Sequence, residues 1–178
     1  MAHLALALRC LIGIVFLVSS LSKVVSGRRF QDFADSLRTM DVLPARLVPA
    51  AARAVVLAEF AVWVLLVIGP TAGFVLATGL LAAFTLGITS AVRRGVYAPC
   101  QCFGTSVRPL GPRHVVRNAV LTAGAAVGAS AALVPGEMRP AGAAVAVLAG
   151  VCCAGPVLLL DDLLDLFRPM SRSHESVP

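Results

Sequence analysis

Residues 50–92 decide the fold, and they read AAARAVVLAEFAVWVLLVIG-P-TAGFVLATGLLAAFTLGITSAV. They contain two apolar runs of about 20 residues each, the length of helix that crosses the hydrocarbon core of a bilayer. Gly69 and Pro70 separate the runs, and this dipeptide is a strong turn signal. The stretch therefore predicts two membrane-spanning helices, over about 50–69 and 71–92, joined by a tight turn.

Similar apolar runs occur on both sides of this hairpin, at about 4–23, 115–134 and 140–160. Of the 178 residues, 58% are hydrophobic and only 13% are charged, whereas soluble domains carry about 25% charged residues. The mean hydropathy is +0.90. The sequence thus predicts an all-α membrane protein, a compact bundle of about five transmembrane helices with the lipid bilayer around it.

The segment after the first span, RRFQDFADSLRTMDVLP at 28–44, has a different pattern. Its apolar residues Phe30, Phe33, Leu37 and Met40 fall on one helical stripe, and charged residues lie elsewhere around the wheel. This pattern is typical of a short amphipathic helix that lies in the membrane interface. The alternative is a loop with scattered apolar residues.

Small residues dominate the last two spans. Gly124 and Gly128 form a G-x-x-x-G pair, and four small residues recur at every fourth position: Gly142, Ala146, Gly150 and Ala154. Small residues let helix backbones approach closely in lipid. We therefore expect these positions to serve helix packing.

The net charge of +6 comes from residues between the apolar runs. Five spans place the 24–49 loop, the 93–114 loop and the C-terminus on one side of the membrane. All but two of the fifteen lysines and arginines, the exceptions being Arg9 and Arg139, belong to that side. Cytoplasmic loops carry such an excess. The charge therefore predicts a cytoplasmic 93–114 loop and C-terminus, not nucleic-acid binding.

The 93–114 loop contains the stretch GVYAPCQCFGT at 95–105, in which Cys100 and Cys102 are separated by one residue. A disulfide across so short a ring is strained, and strained disulfides exchange readily. Positive charge favours the reactive thiolate. The residues that shape or charge this loop are Pro99, Phe103, Gly104, Arg93, Arg94, Arg108 and Arg113. Three roles for this cysteine pair remain open. They are redox chemistry, a role without catalysis, and a metal site completed by His114 and by Cys152 or Cys153.

Glu59 lies inside the second span, where an ionisable group is costly and normally has a partner. Lys23 at the end of span one, and Arg117 with Asn118 at the start of span four, approach it from the side that carries Cys100. We expect a Lys23–Glu59–Arg117 cluster beneath the cysteine loop. It would act either as a proton-relay site or as a structural ion pair.

Cys152 and Cys153 lie in the middle of the fifth span. Cysteine inside an apolar run usually acts as a small hydrophobic residue, so packing is the main interpretation. The alternative is that one of them is the resolving partner of Cys102.

These features together resemble the methylamine-utilisation MauE family, within the wider DoxX-like membrane proteins. The resemblance covers roughly residues 4–160, and Cys-x-Cys-Phe-Gly at 100–104 is its most specific part. It implies an inner-membrane protein linked to redox maturation of disulfide-containing proteins, which in methylamine clusters means the small subunit of methylamine dehydrogenase. The other matching features are the S-x-x-S-K of Ser19 to Lys23, Phe30, Phe33, Leu43-Pro44, Glu59 and Arg117-Asn118.

The expected organisation is one transmembrane domain over 1–160 and a polar C-terminal tail over 161–178. Within the transmembrane domain, Cys100 and Cys102 would be the cycling pair of a thiol–disulfide oxidoreductase or electron relay. Its partner would be a thioredoxin-like protein or a maturation substrate. No cofactor is evident, and no residue indicates a site for a quinone acceptor. The alternatives are a non-catalytic assembly partner and a small transporter that uses Glu59.

Overall fold

The structure is a computed structural model that describes residues 1–95, 112–137 and 139–166. Prolines start several of its helices, since a proline in the first turn lacks only an N–H that would have no helical partner. A short 3₁₀-helix, Ala45–Leu47, leads into the third α-helix. The α-helices in the described part are α1 (Ala2–Val24), α2 (Gly27–Thr39), α3 (Val48–Ile68), α4 (Pro70–Arg93), α5 (Pro112–Ala132) and α6 (Pro140–Leu166).

Five of these helices, all except α2, are long and apolar enough to cross a membrane. The predicted all-α bundle with five spans is therefore confirmed. The observed spans lie within a few residues of the predicted ones, except that α6 continues to Leu166, beyond the predicted end at 160. No glycine or proline occurs between Val157 and Phe167 to end the helix at the membrane boundary.

Four of the spans form a closed ring. Helix α1 packs against α3 and α5, and α4 packs against the same two helices from the other side. Helix α6 lies outside this ring and packs on α1. The interior of the ring is apolar and close-packed, and its main buried residues are Ile12, Val15, Phe16, Val62, Leu66, Phe74, Ala77, Leu81, Leu121 and Ala125.

Glycines face the helix contacts, as the small-residue pattern predicts. A Cβ atom on Gly128 would overlap the ring of Phe74 on α4. One on Gly150 would overlap the backbone oxygen of Ala7 and the Cβ of Cys10 on α1. The expected role of these positions in close helix packing is confirmed, and the repeat on α6 is what attaches that helix to α1.

The amphipathic segment forms helix α2, so the helix prediction is confirmed and the loop alternative is wrong. The side chain of Ser26 accepts a hydrogen bond from the Arg29 backbone N–H at 3.3 Å and caps the helix. The apolar stripe faces the bundle: Phe33 and Leu37 pack with residues of the first turns of α3 in a second buried cluster. Helix α2 therefore covers the end of the bundle with its apolar side inward.

Candidate functional site

A buried ion pair joins α1 to α3 at the end of the bundle covered by α2. The Nζ atom of Lys23, in the last turn of α1, lies 2.7 Å from Oε1 and 2.9 Å from Oε2 of Glu59. The two side chains are only 2% and 0% exposed. Charged side chains buried this deeply need an oppositely charged partner in good hydrogen-bonding geometry, because the loss of hydration costs several kcal/mol for each of them.

Ser19 completes the pair. It precedes Lys23 by four residues, so both side chains project from the same face of α1. Its Oγ accepts a hydrogen bond from Lys23 Nζ at 2.7 Å and donates one to Glu59 Oε1 at 3.1 Å. The three residues form one connected network in which both carboxylate oxygens accept hydrogen bonds.

The ring of Phe33 on α2 lies against the ammonium group of Lys23, with 5.0 Å between Nζ and the ring centroid. At this distance the ring attracts the cation electrostatically. Phe33 is itself fully buried. Helix α2 therefore takes part in the site, a role that the apolar stripe alone did not indicate.

Helix α5 adds buried polar residues at the same end of the bundle. His114, Arg117 and Asn118 are 5%, 8% and 0% exposed. The amide of Asn118 has no hydrogen-bond partner among the described residues. Glu59 pairs with Lys23, and in the described part of the chain no ion pair links it to Arg117. The structure thus brings together Lys23 and Glu59 and places Arg117 on another wall of the bundle.

Cys100, Cys102, Pro99, Phe103, Gly104 and Arg108 lie outside the described residues. In the chain their segment follows α4 and precedes α5. The end of α4 and the start of α5 lie at the end of the bundle that holds the Lys23–Glu59 pair. Arg94 is described, and its guanidinium donates hydrogen bonds to the backbone oxygens of Met40 at 2.6 Å and Asp41 at 2.9 Å. It therefore fastens the end of α4 to the end of α2.

Arg94→Ala should lower the free energy of unfolding by about 1 kcal/mol, because it removes charge-assisted hydrogen bonds from a partly exposed position. The matched control is Arg93→Ala, since Arg93 is exposed and forms no hydrogen bond within the described residues. Thermal unfolding of both purified variants in the same detergent checks the difference. Equal effects of the two substitutions would contradict the fastening role.

Cys152 and Cys153 are exposed on α6. They do not pack in the interior of the bundle, so the packing interpretation is wrong. The reason is that α6 sits outside the ring and buries only its small-residue face against α1. Among the described residues, no group of three or more His, Cys, Asp or Glu side chains is placed to hold a metal ion. A resolving role for either cysteine stays a prediction.

The geometry defines a class: a multi-pass α-helical membrane protein whose ring of spans encloses a buried Lys–Glu pair at one end. The family model described as "Methylamine utilisation protein MauE" matches residues 1–131. The chain therefore belongs to the MauE family. No curated protein and no solved structure matches it.

Proposed function

We propose that this protein serves the maturation of a disulfide-bearing partner protein, with Cys100 and Cys102 as a cycling thiol–disulfide pair. The thiolate of one cysteine would attack a sulfur of the partner's disulfide. The second cysteine would then release the partner as a dithiol and close the Cys100–Cys102 disulfide. The reverse sequence oxidises the partner. Each direction moves two electrons and two protons, and a second thiol–disulfide protein of the thioredoxin-like class restores the starting state.

The observation that carries this proposal is the position of the cysteine segment in the chain. It stands between α4 and α5 in the chain, and the described ends of these two helices lie where Lys23, Ser19 and Glu59 form their buried network. Membership of the MauE family supports a role in methylamine utilisation, and the maturation task is what the resemblance of the Cys-x-Cys-Phe-Gly stretch implies. Arg94 fastens the end of α4 to the end of α2. This gives the segment a rigid attachment point, which exchange chemistry needs in order to position two sulfurs.

The network favours a structural role for Glu59 over a transport role. Both carboxylate oxygens accept hydrogen bonds from Lys23, and Oε1 also accepts one from Ser19. A carboxylate held in this way is poorly placed to pick up and release a transported cation or proton. The thiol-exchange proposal is therefore preferred over a small transporter.

The proposed location is the inner membrane, with the Cys100 loop on the cytoplasmic side because of its arginines. Maturation of an exported protein would instead favour cysteines on the outer side. On the cytoplasmic side, the pair would serve a cytoplasmic thiol partner or pass electrons inward through the bundle.

Thiol trapping tests the redox proposal and the side together. In intact cells, a membrane-impermeant maleimide should label Cys100 and Cys102 only after permeabilisation, and only after prior reduction if the pair is oxidised. Cys100→Ser, Cys102→Ser and the double variant should abolish maturation of the partner. The matched control is Cys10→Ser, a half-buried cysteine near the other end of α1.

A pair that never changes redox state, together with full maturation by the double variant, would refute the thiol-exchange proposal. The protein would then be a non-catalytic assembly partner. In that case Phe103→Ala or loss of the loop arginines, and not loss of the cysteines, should impair maturation.

A further inference from the structure

A lateral cleft opens where α6 stands away from the ring. Helix α1 contacts both α5 and α6, but α5 and α6 have little direct contact with each other. The cleft between them, here called the α5–α6 cleft, has a volume of about 540 Å³. Its floor is Leu8, Leu11 and Ile12 of α1, and its walls include Val120 of α5 and Val157 of α6.

The lining of the cleft is apolar along its length and positively charged at one end. Arg113 and Arg117 lie one helical turn apart at the start of α5, and both line it. Arg113 is exposed, whereas Arg117 is 8% exposed. Among the described residues, no acidic side chain lines the cleft. An occupant that suits this lining combines a long apolar part with a negative group that faces the exposed guanidinium of Arg113.

The dimensions of the cleft match one leaflet of a bilayer. Arg113 begins the membrane-spanning part of α5, so it lies at the level of the lipid headgroups. Gly124, at the far end of the lining, is about 16 Å deeper at 1.5 Å per residue. Half of the hydrocarbon core is about 15 Å. An acyl chain that enters from its own leaflet would thus fill the cleft from headgroup level to the midplane.

We propose that the α5–α6 cleft binds one acyl chain of an anionic phospholipid, with the headgroup phosphate at Arg113. Arginine forms bidentate hydrogen bonds with phosphate. Basic pockets between transmembrane helices are known to hold anionic headgroups. The occupant is present in the surrounding membrane, and the charge of the cleft favours it over a neutral lipid or a neutral isoprenoid. The lipid would fill the gap between α6 and the ring.

Native mass spectrometry of the purified full-length protein tests this proposal. Mixed micelles would contain either phosphatidylglycerol or phosphatidylcholine with the same acyl chains. The wild type should retain one phosphatidylglycerol in preference to phosphatidylcholine. Arg113→Gln should weaken retention about fivefold, as expected for one basic residue near an anionic headgroup. Val120→Trp, at a position 65% exposed, should fill the cleft and abolish retention.

Arg28→Gln is the matched control, because Arg28 is an exposed arginine on α2 at the same end of the bundle. It should leave retention unchanged. Equal retention of the two lipids, or phosphatidylglycerol retention that survives Val120→Trp, would overturn the proposal. An equal loss of lipid retention in Arg28→Gln and Arg113→Gln would also overturn the proposal. The lipid would then be attracted by all the basic residues at this end of the bundle and not by the cleft.

Discussion

Lys23→Met should lower the free energy of unfolding by about 3–5 kcal/mol, because it leaves the carboxylate of Glu59 buried without a positively charged partner. Glu59→Leu should have an effect of similar size, because it removes the carboxylate that pairs with the buried ammonium group of Lys23. Ser19 is the remaining member of the network described above in either variant, and its hydroxyl does not replace a full charge. Thermal or denaturant unfolding of the purified variants in detergent measures both effects.

The double variant Lys23→Met/Glu59→Leu should recover most of the lost stability. Replacing a buried ion pair by apolar residues of similar volume is often neutral or stabilising. The two substitutions should therefore be strongly non-additive in a double-mutant cycle. A double variant as unstable as the sum of the two single variants would contradict the observed pairing.

The same double variant separates the two interpretations of the pair. If the pair only holds α1 against α3, the double variant should fold and support partner maturation. If the charges also tune the cysteine segment, the double variant should be stable but inactive in the thiol-trapping experiment. The stability measurement and the activity measurement thus give independent results.

Gly73→Ala should destabilise the protein by about 1–3 kcal/mol, the usual range for overpacking. Gly73 lies in the first turn of α4, directly against the end of α3. An added Cβ would lie 2.5 Å from the backbone nitrogen of Leu66 and 2.9 Å from the backbone carbon of Leu65. Backbone atoms cannot rotate away as a side chain does, so the α3–α4 hairpin must open.

Gly79→Ala, on the same helix, is the matched control. Nothing lies within 4 Å of the Cβ it would add. Since alanine favours helix over glycine by about 1 kcal/mol, this change should be neutral or stabilising. Unfolding measurements on the two variants isolate the steric effect at Gly73. Equal destabilisation by both would show that helix flexibility, and not close packing, explains the use of glycine in α4.

The spans and the amphipathic helix could be predicted because each depends on local pattern. Runs of about 20 apolar residues and the turn at Gly69-Pro70 are complete signals within one stretch of chain. The stripe of Phe33 and Leu37 indicated α2 in the same way. The ends of helices were less predictable where no glycine or proline ends the helix, as beyond residue 160 in α6.

The partner of Glu59 could not be chosen from the sequence. Lys23 and Arg117 both come from the correct end of the bundle, and both carry positive charge. The choice depends on the order of helices around the ring: α1 is a neighbour of α3, whereas α5 lies across the ring from it. That order follows from the fit of small and large side chains between helices, which residue spacing within one helix does not reveal.

The roles of Phe33 and Arg94 were hidden for a related reason. Each acts on a different element from its own: Phe33 contacts the end of the preceding helix α1, and Arg94 contacts the end of α2, far back in the chain. A pattern search along one segment detects the apolar stripe or the basic loop but not these contacts. The sequence indicated Ser19 only as the first residue of the S-x-x-S-K motif that ends at Lys23.

The ring of α1, α3, α4 and α5 is complete before α6 begins, and the family match ends at residue 131, within the last turn of α5. Because proteins made on the ribosome fold from the N-terminal side, the ring and its buried ion pair can form while α6 is still being synthesised. Helix α6 would then pack on a surface of α1 that is already folded. Biosynthesis would proceed in two stages, in which a self-sufficient core inserts first and an accessory span docks afterwards.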